Sequence, residues 1–146
     1  MTNSIASVVL TALILCVPGM AQSTSIDIPG VFFKEGRPAK GESLESSVSD
    51  SQELKNLARA VDILKRYSNV TFEVVGHTDQ YECSGQDCHD LALRRALLVY
   101  RHLLNSSIDP KRVISLTEYT SSRPIAGKRE EYWVNQRAEI NFAIDP

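Results

Sequence analysis

The sequence predicts an α+β fold: a two-layer sandwich with one mixed sheet and two main helices on one face. Two observations carry this reading. Apolar residues recur at helical spacing in two long stretches, and short runs of alternating, β-branched residues lie before, between and after them. The resulting order, βαβα followed by two further strands, favours helices packed together on a single sheet.

Each element has its own justification. Ile26, Ile28 and Val31-Phe32-Phe33 read as a first strand interrupted by Pro29-Gly30. Residues 34–49 are rich in Gly, Pro, Ser, Glu and Lys, and they read as a long exposed connection. Ser49 or Asp50 can cap a helix whose apolar face is Leu54, Leu57, Ala58, Val61, Leu64 and Tyr67. Val70-Thr71-Phe72-Glu73-Val74-Val75 alternates as the second strand, and a polar loop over residues 76–87 follows it. A second helix carries Leu91, Leu93, Ala96, Leu97, Tyr100, Leu103 and Leu104. Asp109-Pro110 marks a turn before a third strand, Val113-Ile114-Ser115-Leu116. Residues 118–128 are turn-rich, residues 130–135 suit a short helix, and residues 138–144 alternate as the last strand.

The ends and the cysteines set the compartment. Residues 5–20 are almost wholly apolar, and the small residues Gly19 and Ala21 fit a signal-peptidase site after Ala21. The expected organisation is a signal peptide over residues 1–21 and a single domain with a short N-terminal arm over residues 22–146. The alternative is a retained anchor, although the run is shorter than the ~20 residues a membrane span needs. Lipidation at Cys16 is disfavoured by the bulky Leu13-Ile14-Leu15 before it. Cleavage leaves Cys83 and Cys88 as an even pair in an oxidising compartment, which predicts a disulfide that shapes the loop between them. A zinc site using His77, Asp79, Cys83, Cys88 and His89 is the competing reading, weakened by the lack of a second paired half. The net charge of -2 argues against nucleic acid as a partner.

One stretch concentrates the chemistry. Asp79 lies just past the second strand, and Arg94 and Arg95 lie on the helix after the cysteine loop, so one small site can present both signs of charge. Such a site suits a zwitterionic ligand. Adjacent helical residues point about 100° apart, so only one of the two arginines can face the loop.

Phe32-Phe33, Gly76-His77-Thr78-Asp79, Leu91-Ala92-Leu93-Arg94-Arg95-Ala96, Arg112-Val113-Ile114, Arg123-Pro124 and Asn135-Gln136-Arg137 occur in the order found in the OmpA C-terminal domain. The chain resembles the OmpA-like, MotB-like and Pal-like peptidoglycan-binding family over about residues 31–144. The resemblance implies the OmpA-like βαβαββ sandwich and a role in holding the diaminopimelate of the peptidoglycan stem peptide through Asp79 and Arg95. It adds His77, Thr78, Cys88 and Arg137 as supporting positions. A periplasmic, outer-membrane-associated location follows from the same resemblance, with the peptidoglycan stem peptide and other envelope proteins as partners. No cofactor or metal is expected, and membrane contact would come only through an uncleaved signal or a partner.

The chemistry is compatible with that role. A carboxylate can accept from the ligand's ammonium while an arginine fork donates two bonds to its carboxylate. Four positions depart from the family pattern. Cys88 replaces an asparagine, Glu118 and Thr120 replace the glycines of a Gly-x-Gly-Glu turn, and Tyr132 replaces an arginine. These departures make an exported interaction protein, keeping the fold without binding peptidoglycan, the alternative function.

Blander roles stand beside the sharp ones. Asp79 can cap its loop, Arg95 can pair with Asp90 or Glu131, His77 can brace the loop, and Arg137 can tie the last strand to it. Tyr119, Tyr132 and Trp133 suit either packing or a wall for sugar. The sequence contains no Gly-x-Ser-x-Gly, His-Glu-x-x-His or phosphate-binding glycine motif. A binding module is therefore expected rather than an enzyme, and a metal-dependent hydrolase built on His77, Asp79, Cys88 and His89 ranks last.

Overall fold

The computed structural model describes residues 27–83 and 85–143. The expected signal segment lies outside them. Strand β1 is Val31–Phe32, followed by a short helix α1 at Leu44–Ser47 and a long helix α2 at Ser51–Arg66. Then come β2 at Phe72–His77, α3 at Cys88–Asn105, β3 at Val113–Thr120 and β4 at Arg137–Phe142. Single 3-10 helices at Pro110–Arg112 and Arg129–Asn135 lead into β3 and β4.

The sheet is mixed, in the order β1-β4-β2-β3. β2 runs parallel to β3 and antiparallel to β4, and β4 is antiparallel to β1. The parallel pair is joined by α3, the crossover such a pair requires. Leu57, Ala60, Val61 and Leu64 of α2 share one core with Ala96, Val99 and Leu103 of α3 and with Phe72, Val74, Ala138 and Ile140 of the sheet. Both long helices thus cover one face, and the fold is the α+β sandwich.

Several local expectations are corrected. The connection over residues 34–49 is not wholly exposed: Ser43 caps α1, Leu44 and Val48 are buried, and Val48 bridges to Phe33. On α2, Asp50 is the cap, its side chain accepting from Gln52 N, and Ala60 rather than Ala58 faces the core. On α3 the buried stripe is Leu91, Ala92, Arg95, Ala96, Val99 and Leu103, so Leu93 points outward. β3 runs on to Thr120, where a turn was expected, because β2 pairs with it as far as His77.

One glycine sets the spacing between sheet and helix. A Cβ on Gly76 would sit 1.8 Å from the carbonyl oxygen of Ala92. Only a residue without a side chain lets β2 approach the first turns of α3 so closely. This contact fixes Arg95, one turn beyond Ala92, against the loop that leaves β2.

Candidate functional site

β2 ends at His77, and the chain turns at once into the loop carrying Asp79. Asp79 is 4% exposed. Its Oδ1 accepts from the backbone N–H of Tyr81 at 2.5 Å and of Glu82 at 2.9 Å, while Oδ2 accepts from Gln136 Nε2 at 2.6 Å. A carboxylate offers about four acceptor positions, so one on Oδ2 stays open.

Glu82 completes a reciprocal box, since its Oε1 accepts from Asp79 N at 2.9 Å. The same carboxylate takes the fork of Arg95, with Nη1 to Oε1 and Nη2 to Oε2 both at 2.6 Å, and Gly36 N donates to Oε2 at 3.0 Å. Both side chains are completely buried. Arg95 spends its remaining donors on backbone carbonyls, Nε to Arg37 at 2.8 Å, Nη1 to His77 at 2.7 Å and Nη2 to Lys34 at 3.4 Å. Every donor of this guanidinium has a partner within the chain.

Arg95 is therefore the arginine that turns toward the loop, and its partner is Glu82 rather than Asp90 or Glu131. Arg94 lies on the flank, where it donates to Pro38 O and Gln86 Oε1, both at 2.9 Å, and pairs with Asp90. The expectation of an open arginine fork beside Asp79 has to be corrected. A buried carboxylate of the chain itself already fills the fork.

Beside Asp79 lies a cavity of about 190 Å³ lined by Thr78, Asp79, Gln80, Ser121, Pro124, Ala126, Gly127, Tyr132 and Asn135. It contains a carboxylate and no basic side chain. Thr78 is 1% exposed, and its hydroxyl has no hydrogen-bond partner among the described residues. Asn135 holds the wall in place: its Oδ1 accepts from Ile125 N at 2.8 Å and its Nδ2 donates to Ala126 O at 2.9 Å. The three residues of the Asn135-Gln136-Arg137 motif thus divide their work. Asn135 braces the loop, Gln136 clamps Asp79, and Arg137 donates to Glu139 Oε1 at 2.6 Å and to Arg123 O at 3.2 Å.

The other supporting positions lie around this cavity without lining it. His77 is buried beside Glu139, its Nε2 3.4 Å from Oε2, and among the described residues neither ring nitrogen makes a well-directed hydrogen bond. The imidazole, followed by the Arg137 guanidinium, lowers the Glu139 pKa to about 2 against the opposing effect of burial. The His77 backbone carbonyl, not the ring, accepts from Arg95. Cys88, the first residue of α3, is bonded to Cys83 in the expected disulfide. With both sulfurs in that bridge, the cysteines present no thiolate to a metal.

The departures from the family pattern have visible consequences. Thr120, in a glycine's place, adopts φ 44°, a left-handed conformation unfavourable to a β-branched residue. Glu118 lies 2.7 Å from His89 Nδ1 and raises that imidazole's pKa. Tyr132, in an arginine's place, accepts from Gln80 Nε2 at 3.1 Å and packs against the Tyr81 ring at 5.0 Å. The neighbouring Tyr81 phenol is the main cause raising the Tyr132 pKa. Tyr119 lies beneath Arg123, whose guanidinium is 3.5 Å from the ring centre, while Trp133 sits edge-on to Phe32 and remains 55% exposed.

Sequence reasoning missed Glu82. The signal was present in the spacing Asp79-x-x-Glu82, which matches the reciprocal side-chain-to-backbone pattern of a capping box. Gln136 enters the sequence reading only as the middle residue of the Asn135-Gln136-Arg137 motif, and its clamp on Asp79 was missed.

Comparison with known proteins agrees with this architecture. No curated protein sequence matches the chain. The C-terminal domain of MotB from Helicobacter pylori is similar in structure, with a TM-score of 0.65 and 24% identity, over 84% of this chain and 89% of that one. The peptidoglycan-associated lipoprotein from Burkholderia pseudomallei gives a TM-score of 0.58 and 19% identity, over 78% and 89%. The OmpA-like domain of FopA1 from Francisella tularensis subsp. tularensis SCHU S4 gives 0.58 and 17%, over 78% and 72%. At these identities the likeness establishes the shared fold. The OmpA family model matches residues 43–137, most of the chain including the whole Asp79 and Arg95 region, and the chain belongs to the OmpA family.

Proposed function

We propose that this chain is a non-catalytic module of the bacterial cell envelope that anchors to peptidoglycan by holding the diaminopimelate of the stem peptide. Family membership supports the peptidoglycan reading. The observation that carries it is the cavity walled by Asp79, with an open acceptor position on Oδ2, a Thr78 hydroxyl unpartnered among the described residues and no basic side chain in its lining. Such a cavity suits the ammonium end of the ligand. Asp79 accepts from that ammonium, and Arg95 serves the ligand's carboxylate only where Glu82 gives up the fork. The module works in the periplasm, with a cleaved signal delivering it there.

The alternative is an exported OmpA-like protein that engages another envelope or secretion-system protein without binding peptidoglycan. The closed Glu82–Arg95 pair and the replaced positions Cys88, Glu118, Thr120 and Tyr132 favour it.

Cosedimentation with purified sacculi separates the two. Wild type should pellet with sacculi, less so as salt rises. Asp79→Asn should pellet several-fold less, because the amide no longer attracts an ammonium. It keeps an oxygen for the Tyr81 and Glu82 N–H groups, and a flip of the Gln136 amide restores the remaining contact. Absence of pelleting would favour the interaction protein, and pelleting indifferent to Asp79→Asn would refute the Asp79 contact.

A further inference from the structure

We propose that Glu82 is a built-in competitor for the carboxylate half of the ligand site, and that the Cys83–Cys88 bridge is the latch holding it on Arg95. The proposal rests on the peptidoglycan reading above and deepens it, because it determines which stem peptides the module distinguishes.

The geometry carries the argument. An arginine fork recognises a carboxylate by two parallel charge-assisted bonds. Glu82 presents that same group to Arg95, at 2.6 Å on each arm, and both side chains are fully buried. The Arg95 side chain does not line the cavity beside Asp79, so a ligand carboxylate reaches it only after Glu82 swings out. Glu82 is held by its bonds from Asp79 N and Gly36 N and by its own position in the chain. It immediately precedes Cys83, whose sulfur is bonded to Cys88 in the first turn of α3. The bridge therefore closes the loop between the Asp79 turn and the helix that carries Arg95.

Opening the latch requires a reductant of the dithiol class. The dithiol gives two electrons and two protons to the bridge, the Cys83–Cys88 bond breaks to two thiols, and the dithiol leaves as a disulfide. The freed loop lets Glu82 turn out toward solvent and exchange its place on Arg95 with a ligand carboxylate.

Specificity follows from this exchange. Diaminopimelate carries an ammonium and a carboxylate at its free end, whereas lysine at the same position of a stem peptide carries the ammonium alone. With Glu82 in place, only the ammonium is read and the two peptides bind alike. With Glu82 displaced, the diaminopimelate peptide gains the fork.

The test measures binding of soluble stem peptides containing meso-diaminopimelate or lysine to wild type, Cys83→Ser/Cys88→Ser and Glu82→Gln. Wild type should bind both peptides similarly. Both variants should prefer the diaminopimelate peptide by about tenfold, the factor carried by one charge-assisted hydrogen bond. Variants that discriminate no better than wild type would overturn the latch; if wild type still binds both peptides through Asp79, the peptidoglycan reading survives that failure.

A second measurement needs no peptide. The melting temperature of Glu82→Ala should rise with added acetate and not with chloride at equal ionic strength, while that of wild type should not respond selectively. Glu82→Gln replaces Glu82→Ala if the latter does not fold, and a folded variant indifferent to acetate refutes a vacated carboxylate site on Arg95. Selective rescue by acetate, with no protein binding either peptide, would support the carboxylate site while removing the peptidoglycan reading.

Discussion

Truncating Arg95 to Ala removes a fully buried guanidinium that joins three parts of the chain. Its loss leaves the Glu82 carboxylate buried with only the N–H groups of Asp79 and Gly36, and it strips a donor from the carbonyls of Lys34, Arg37 and His77. Removing one partner of a buried ion pair costs about 3–5 kcal/mol, mostly because the remaining charge is stranded. For a domain of this size that corresponds to a fall in Tm of roughly 10–20 °C. Glu82→Ala strands the opposite charge and should cost a similar amount. The double variant strands neither, so its cost should fall short of the sum of the singles by about 2–3 kcal/mol. Urea unfolding followed by circular dichroism supplies all the arms of the cycle, with Arg94→Ala, whose side chain is 15% exposed and lies outside the Glu82–Arg95 pair, as a control expected to cost about 1 kcal/mol. Strict additivity of the two single variants, or a cost below about 1 kcal/mol for Arg95→Ala, would refute the closed pair.

Three further outcomes follow from the geometry. Gly76→Ala forces a Cβ against the Ala92 carbonyl, which is backbone and cannot rotate away, so chemical denaturation should show a loss of about 3 kcal/mol or more. Thr120→Gly relieves a left-handed β-branched residue and should raise the unfolding free energy by roughly 1 kcal/mol, read from the urea midpoint. Glu139 has a folded pKa of about 2, below the ordinary glutamate value of 4.5. Between those values the unfolded chain binds the proton more readily, so the stability this group contributes is complete above the upper value and is lost as pH falls through the window. Urea midpoints taken across that range should show Glu139→Gln with the shallower acid loss.

The fold was legible wherever a hydrophobic period reported burial directly. The helical spacing of Leu57, Val61 and Leu64 located α2, and the alternation in Val70 to Val75 located β2, because one face of each meets the core. Hydrophobic periodicity does not report a polar residue that is buried by pairing. Arg95 lies in the innermost stripe of α3, a place that periodicity assigned to Leu93, because its charge is satisfied by Glu82 and by backbone carbonyls contributed from the segment around Lys34 and Arg37. No local pattern announces a partner brought in by tertiary structure. α1 escaped notice because four residues show no helical period, yet Leu44 and Val48 close the core beside Phe33. The positions of the site were legible through motif order, with Asp79 and Arg95 brought to one loop. Their occupancy was not. The Asp79-x-x-Glu82 spacing held the necessary hint, and reading it requires knowing that the carboxylate also faces a helix across the loop.

The most direct measurement of the central claim is a nuclear magnetic resonance titration of the isotopically labelled protein with a soluble stem peptide containing meso-diaminopimelate. The account predicts saturable shifts at the backbone amides of Thr78, Asp79, Gln80, Ser121 and Tyr132, the lining of the cavity beside Asp79, and their loss in Asp79→Asn. A titration that leaves these amides unmoved, or that shifts only the separate groove around Arg94 and Arg101, would contradict it.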